Sequence, residues 1–369
     1  MNKVLKEIAP YLALGFTTLV PAICAAQESS VQLYGSVGAG ITYKTNQKGG
    51  THVTEMTSNL LSASLLGLKG REDLGGGVNT LFQLESSISA TTGTAGATVA
   101  GTPKFWNRQS YLGLEFGRAA TVTVGRQFHA STDRVVRSLD VYNVAGPSAQ
   151  TAPIALFGIN RFAGNDTRVD NSIKLRLNGP AGTTLGISAG LDQGTGRSVS
   201  FDLAQTTGSY VLAVYGVKYH APSATTATGI NPTHELVGIG GQLPLGKFTL
   251  FLNAAHSSLD ATTAGGSTQK NRLLVSGVRY DMSPVILKAA YTHDNGENIS
   301  NVNGREGSKK TFVLSAEYFF SKRTSVNVAA FTNSLSSGYR LDPVNISTLG
   351  LGPGASSMKG YSIGIRHAF

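Results

Sequence analysis

From Val31 onward the chain repeats segments of about ten residues in which apolar and polar side chains alternate. That period belongs to a strand with two unlike faces. The last segment is the clearest. In "GYSIGIRHAF", Tyr361, Ile363, Ile365, His367 and Phe369 share one face, and Ser362, Gly364, Arg366 and Ala368 share the other. The first behaves alike: Val31, Leu33, Val37, Ala39 and Ile41 stand against Gln32, Tyr34, Ser36 and Thr42. Followed along the chain, the pattern predicts sixteen strands, at 31–44, 58–71, 77–90, 105–116, 119–128, 167–178, 182–191, 197–206, 209–220, 233–243, 247–258, 270–281, 285–294, 309–320, 323–333 and 359–369.

A soluble two-layer sandwich shows the same alternation. The connections separate the two folds. Short turns at 72–77, 117–119, 179–182, 206–208, 244–246, 281–284 and 320–323 alternate with longer polar stretches at about 45–57, 91–104, 129–165, 192–197, 221–232, 259–269, 295–307 and 334–358. An even strand count, with short periplasmic turns at one end and long extracellular loops at the other, is the pattern of an outer-membrane barrel. Hydrogen bonding demands the same closure, because an open sheet edge in lipid would leave backbone groups unpaired. The expected fold is therefore all-β: one transmembrane antiparallel β-barrel of 16 strands over 27–369, with no domain boundary. A barrel of that size leaves an aqueous lumen.

Composition removes the main competitor. Hydrophobic residues make up only 41% of the 369, and the mean hydropathy is −0.01. A helical membrane protein needs runs of roughly 20 apolar residues, and none follows residue 26. The first 26 residues read as a signal peptide: Lys3 and Lys6, an apolar stretch from Ile8 to Val20, the breaker Pro21, then "ICAA" before Gln27. Cleavage after Ala26 places Cys24 and Ala26 at the small-residue positions of the processing site. An uncleaved anchor would need a longer apolar run, and a lipoprotein reading of Cys24 is weakened by bulky Ile23 before it. The mature chain would have no cysteine and no thiol chemistry. It would keep 29 basic and 20 acidic residues, a net charge of +9. The bases are scattered and the protein is exported, so a pore lining or a surface facing lipopolysaccharide accounts for them better than nucleic acid does.

Several segments together resemble the trimeric general porins of Gram-negative bacteria, most closely the β-proteobacterial, neisserial-type class. They are "VQLYGSVGAGI", "LLGLKGREDLGGGVNTLFQLES", "RQSYLGLEFG", "TVTVGRQF", "RVDNSIKL" and the terminal "GIRHAF", in the family's order over nearly the whole mature chain. The resemblance implies an outer-membrane homotrimer of sixteen-stranded barrels and passive passage of small hydrophilic solutes and ions. It also implies that the third external loop folds into the lumen, and that Phe369 is the signal read by the barrel assembly machinery. Independently of it, the third loop, about 129–165, is the longest, and a long loop beside a channel wall can reach inside.

In such porins arginines on the wall face acidic residues on the inserted loop, and the resulting field favours one sign of ion. On that resemblance Arg108, Arg161 and Arg168 are expected in the basic cluster, with Asp140 and Asp133 on the loop. Alternation adds Lys69, Glu85 and Arg366 as lumen residues, since a midplane cation toward lipid is unfavourable by about 2–4 kcal/mol. Arg108 conflicts with this rule. Counting from Leu112 and Leu114 turns it outward, so either the strand bends near its top or Arg108 faces a trimer contact. Arg126 raises the same problem and is left out. One departure is plain: the family usually carries arginine two residues before the glycine of this "SLLGLKG" segment, where Leu65 stands here. The positive cluster is expected to be weaker for it.

Tyr361, Phe369, Phe319, Tyr318 and Phe331 lie near predicted strand ends and suit the aromatic girdles. Three features mimic other chemistry. "GISAG" sets Ser188 in a nucleophile-elbow frame, but a strand continues through it where a helix should follow. "GQLPLGK" lacks the Ser or Thr of a phosphate-binding loop, Phe248 standing there instead. The seven histidines are too far apart for a metal site and read as surface or interface residues. No enzyme, cofactor or metal is expected. The expected function is a general diffusion channel with a mild preference for anions. A substrate-specific channel, which would need an aromatic track along the lumen, and an adhesive or structural barrel are the alternatives.

Overall fold

The computed structural model describes residues 30–49, 52–58, 61–99, 102–142, 168–191, 196–221, 232–261, 263–352 and 354–369. The proposed leader, most of the third loop beyond residue 142 and Arg161 lie outside them.

The strands come in chain order. The first four are β1 (Ser30–Thr45), β2 (His52–Thr57), β3 (Leu65–Gly75) and β4 (Val78–Ser87). A small hairpin, β5 (Ala97–Val99) with β6 (Thr102–Lys104), stands apart in the second loop. Then follow β7 (Gln109–Phe116), β8 (Ala120–Phe128), β9 (Arg168–Asn178), β10 (Thr183–Gly190), β11 (Arg197–Thr207), β12 (Tyr210–His220) and β13 (Thr233–Leu245). The set ends with β14 (Phe248–Leu259), β15 (Gln269–Met282), β16 (Val285–Glu297), β17 (Gly307–Phe319), β18 (Thr324–Leu335) and β19 (Ser357–Ala368). Outside the small hairpin, and except for β2 with β3, each pairs antiparallel with its sequence neighbour, and β19 returns to β1 in a register running from Ser36↔Ala368 to Lys44↔Gly360. The sheet has no free edge.

β2 and β3 pair with successive parts of one side of β1, so together they make a single interrupted crossing and the barrel has sixteen. The sequence pattern placed one strand at 58–71 here. The structure corrects this: residues 52–57, expected in a loop, carry the upper half of the crossing. After the interruption the chain lies inward at 61–64, where Leu61 is buried against Tyr142, Phe331 and Met358. The run "TSNLLSAS" has no alternating faces, which is why periodicity misreads it.

The two faces separate as alternation requires. Tyr361, Ile363 and Ile365 are 58%, 55% and 53% exposed, while Ser362 between them is buried. Val31, Leu33 and Ile41 face out, and Ser36 and Thr42 face in. Among the described residues no helix is long and apolar enough to cross a membrane; the crossings are strands. Phe369, Tyr361 and Tyr318 are exposed on the outer surface, as a girdle needs, and Phe319 is half-buried. Phe331 is a correction: it lies on the inward face with Asn327 and Asn333, 4% exposed, its ring filling the space over Gly360.

Candidate functional site: the lumenal constriction

The third loop leaves β8 and enters the barrel. A short helix, Ala130–Arg134, runs into a wider turn, Val135–Leu139. The helix has free N–H groups at its start. Lumen-facing serines of the wall take them: Ala130 N donates to Ser188 Oγ and Ser131 N to Ser200 Oγ, both at 3.0 Å. Ser188, the residue of the hydrolase-like motif, is thus a docking point for the loop.

Beyond the helix the loop is held by packing. Val135 and Leu139 are fully buried among Ala204, Ala213, Tyr215, Leu236, Leu273 and Val275, which contributes about 1.5–3 kcal/mol for each side chain. Glycines on the inward face allow the approach. A Cβ at Gly240 would stand 3.2 Å from Leu139 Cδ1, and one at Gly277 only 2.9 Å from Val141. Tyr142 then anchors the far end, with its hydroxyl 3.0 Å from Ser315 Oγ on β17. The described part of the loop therefore lies along the inner face from β10 to β17. Gly277→Val should push it off the wall toward the centre. Overpacking of this kind costs about 1–3 kcal/mol, and single-channel conductance should fall.

The charges meet where the loop enters. Asp133 accepts from Arg137 at 2.5 Å and lies 3.4 Å from Arg176 and 3.5 Å from Lys174. Asp202, wholly buried, holds Arg176 at 3.0 Å and Arg134 at 3.4 Å. Arg134 also donates to Thr184 Oγ1. Four basic side chains share two carboxylates. Burial pushes the Asp133 carboxyl up, but Lys174, Arg137 and Arg176 outweigh it and bring it down to about 2. His129, at the end of β8, is pushed by burial to about 3, with Lys174 adding to the effect. It is uncharged at neutral pH.

On the neighbouring strands of the same wall a second network lines the lumen. Glu85 is buried and accepts from Arg108 Nε at 2.5 Å and from Tyr34 at 3.0 Å. Tyr34 accepts from Gln83, which accepts from Tyr111 at 2.6 Å. The Lys69 ammonium sits 5.1 Å from the centre of the Tyr34 ring. Two-thirds of the Arg137 side chain is exposed, and Asp133 beside it, with Tyr111 and Glu85 further off, favours its charged form.

Three of the expected residues take the face that alternation gave them. Lys69 and Glu85 line the lumen. Arg366 is on the inward face near Ser36, Ser64 and Asn327. Leu65 is inward too, opposite Ser36 and Ser87, so the missing arginine is a lumen position. Arg108 resolves its conflict: it lies in a bend one residue before β7, outside the alternation, and turns to Glu85. Asp133 is the acidic centre of the loop. Asp140 receives the Tyr142 amide at 3.3 Å. Arg168 opens β9 with its guanidinium 4.4 Å from the Phe128 ring. Arg126 is buried beside a bulge in β8, held by Asn107 O and by Asp170, which also takes Lys104.

Sequence reasoning missed Arg134, Arg137, Lys174, Arg176 and Asp202. For three of these a signal was present: in "SIKLRL" and "SVSFDLAQ" the charges alternate with Ile173, Leu175, Phe201 and Leu203. Histidines 129 and 234 are also corrections, since both are buried; His234 faces inward and bonds Ser257 at 2.8 Å. Tyr215 lies behind the loop and Phe331 within an apolar cluster. Among the described residues no group of His, Cys, Asp and Glu could hold a metal ion.

A closed ring of sixteen strands with a loop folded into it has known counterparts. The sequence profile of the Gram-negative porin family matches residues 12–336. The chain belongs to that family. The major outer membrane protein P.IB of Neisseria lactamica is 26% identical to this porin over 362 residues, covering 94% of this chain and 97% of its own. The same protein of Neisseria meningitidis, strain H44/76, is 26% identical over 84% of this chain and 89% of its own. Among solved structures, the anion-selective porin of Comamonas acidovorans superposes with a TM-score of 0.76 at 20% identity, over 93% of this chain and all of that one. This porin is a neisserial-type diffusion channel of the outer membrane.

Proposed function

We propose that this porin passes small hydrophilic solutes and inorganic ions passively and prefers anions mildly. The observation that carries the reading is the loop entrance, where Arg134, Arg137, Lys174 and Arg176 share only Asp133 and Asp202. A narrow lumen with surplus positive charge raises the local concentration of anions. Lys69 and Arg108 on the adjoining strands add to it, while Leu65 and the Arg108–Glu85 pair moderate it. Arg161, Arg168 and Arg366 are further candidates for the basic lining, with Asp133 and Asp140 as the acidic side of the loop. The Comamonas protein named anion-selective is a fold relative and supports this assignment. Purified protein in a planar bilayer under a KCl gradient should give a reversal potential of the sign for chloride; the opposite sign would refute the preference.

We further propose a homotrimer, as a Vibrio cholerae OmpT structure of the same fold is described in trimer form. It would sit among outer-membrane lipid and lipopolysaccharide after removal of residues 1–26, and act without an enzymatic step, cofactor or metal. Phe369 would be the mark read by the barrel assembly machinery. Deleting it should lower the yield of folded, heat-modifiable barrel in outer-membrane fractions several-fold. An unchanged yield would remove Phe369 from that role.

A further inference from the structure

The eighth loop, between β18 and β19, also turns into the barrel. Residues Ser337–Leu341 form a tight turn and Pro343–Leu349 a short helix. Asp342 is fully buried, and Tyr339, Leu349 and Leu351 nearly so. Their partners are inward-facing wall residues. Asn271 of β15 donates to Tyr339 Oη at 2.5 Å and to Asp294 of β16 at 2.9 Å. Lys309 of β17, 5% exposed, donates to Asn345 Oδ1 at 3.1 Å. Asn345 in turn donates to Asp342, which also accepts from Ser300 Oγ at 2.9 Å. The far end of the loop pairs with the first loop: Gln47 and Leu351 form an antiparallel bridge, flanked by Lys48 N→Gly350 O and Gly352 N→Asn46 O at 2.9 Å. The apolar side of the same segment joins Val141 and Tyr142, the end of the described third loop, in one cluster with Leu61, Phe331 and Met358.

A loop with charged and amide side chains buried against the inside of the wall occupies space that solutes would otherwise cross. We propose that residues 337–352 form a second filter, in series with the lumenal third loop, that sets the size of solute admitted from the extracellular side, and that Lys309 is the positioning residue that holds it in. The burial requires a partner. An ammonium removed from water is tolerated only when it is hydrogen-bonded and faced by opposite charge, and Asp294 and Asp342 supply that charge. Removing Lys309 takes its ammonium away from Asn345 and from the neighbourhood of Asp294 and Asp342, and the arrangement that relieves this is the loop moved out into water. The inference rests on the channel reading given above.

The experiment uses the full-length porin in planar bilayers and in liposomes swollen by neutral sugars. Lys309→Met should raise single-channel conductance roughly 1.5- to 2-fold, as widening one of two resistances in series would, and should admit the tetrasaccharide stachyose faster than wild type. Lys309→Arg, which keeps the charge, should behave as wild type. Gln47→Cys with Leu351→Cys places two thiols at a bridge pair, within disulfide reach. Oxidised in the Lys309→Met background, they should return conductance and stachyose uptake to wild-type values, and reduction should release them again. Mere loss of a charge from the barrel would not respond to the crosslink. Should Lys309→Met fail to assemble, deletion of residues 338–352 makes the same test. Unchanged conductance and sugar uptake in an assembled trimer, by either route, overturns the second filter. Absence of any channel in the wild-type protein would instead overturn the porin reading itself.

Discussion

Asp133→Asn is expected to leave the barrel intact while freeing the start of the third loop and strengthening the preference for anions. Asp133 is the point where Arg137, Lys174 and Arg176 converge. Its side chain is 10% exposed, so the pairs are only weakly screened. Removing one partner of a fully buried group typically costs about 3–5 kcal/mol; here Arg137 can turn to water and Arg176 keeps Asp202, so the cost is lower, about 2 kcal/mol. The strands keep their ladders, so the loss falls on the loop. Limited trypsin digestion should cut after Arg134 or Arg137 at least ten-fold faster than in wild type, since cleavage follows local opening. The reversal potential in a KCl gradient should move further toward the chloride limit. Resistance to trypsin equal to wild type would show that packing of Val135 and Leu139 alone holds the loop. Acid should have the same effect on the native porin. The Asp133 carboxyl is depressed to about 2 in the folded protein, so its stabilisation is complete above the ordinary carboxyl value near 4 and fades as pH falls toward 2. The shift corresponds to about 2 kcal/mol, and trypsin-like sensitivity, read with pepsin at these pH values, should rise across that interval.

Arg137→Glu should turn selectivity toward cations. Arg137 is the most exposed of the four bases at the loop entrance, so its replacement disturbs little packing. The substitution changes two units of charge beside the ion path. At about 5 Å, in surroundings close to water, that is worth roughly 1 kcal/mol after screening, or about five-fold in the chloride-to-potassium permeability ratio. The new carboxylate would also stand beside Asp133, which adds some loosening of the loop. Arg137→Gln separates the two effects, because it removes one charge without adding repulsion and should give about half the free-energy change. A permeability ratio unmoved by either substitution would place the selective region elsewhere in the lumen.

Most of the barrel was legible from alternation because each strand separates lipid from water, and that contrast is written residue by residue. The segment "RSVSFDLAQ" was expected at 197–206 and forms β11, Arg197–Thr207. The terminal strand has the predicted faces throughout. The same rule located Lys69 and Glu85 without any knowledge of their partners. It fails where the chain does not separate two media. Residues 61–64 lie inward without a face of their own, and the strand expected at 58–71 is split between β2 and β3. Phe331 was assigned by its nearness to a strand end, although its own alternation with Asn327 and Asn333 points inward. Arg134 and Arg137 lie on a short helix and turn inside a loop. No period marks them, and only tertiary contact with Asp202 and Asp133 gives them a role. The bend before β7 explains why Arg108 escaped the rule, and bends of that kind leave no trace in a pattern of period two.

The seam between β1 and β19 has a bearing on how the protein is made. Ser36 meets Ala368, and Lys44 meets Gly360, so the two lips of the seam are separated by more than three hundred residues of chain. Each neighbouring hairpin can zip locally, but the first strand must wait with an exposed border until the whole polypeptide has been synthesised and carried across the periplasm. Contacts of such long range form slowly, and waiting borders invite foreign strands. In transit the chain therefore needs an escort that keeps it unfolded, and any product cut short before residue 360 would reach the membrane with nothing to seal it.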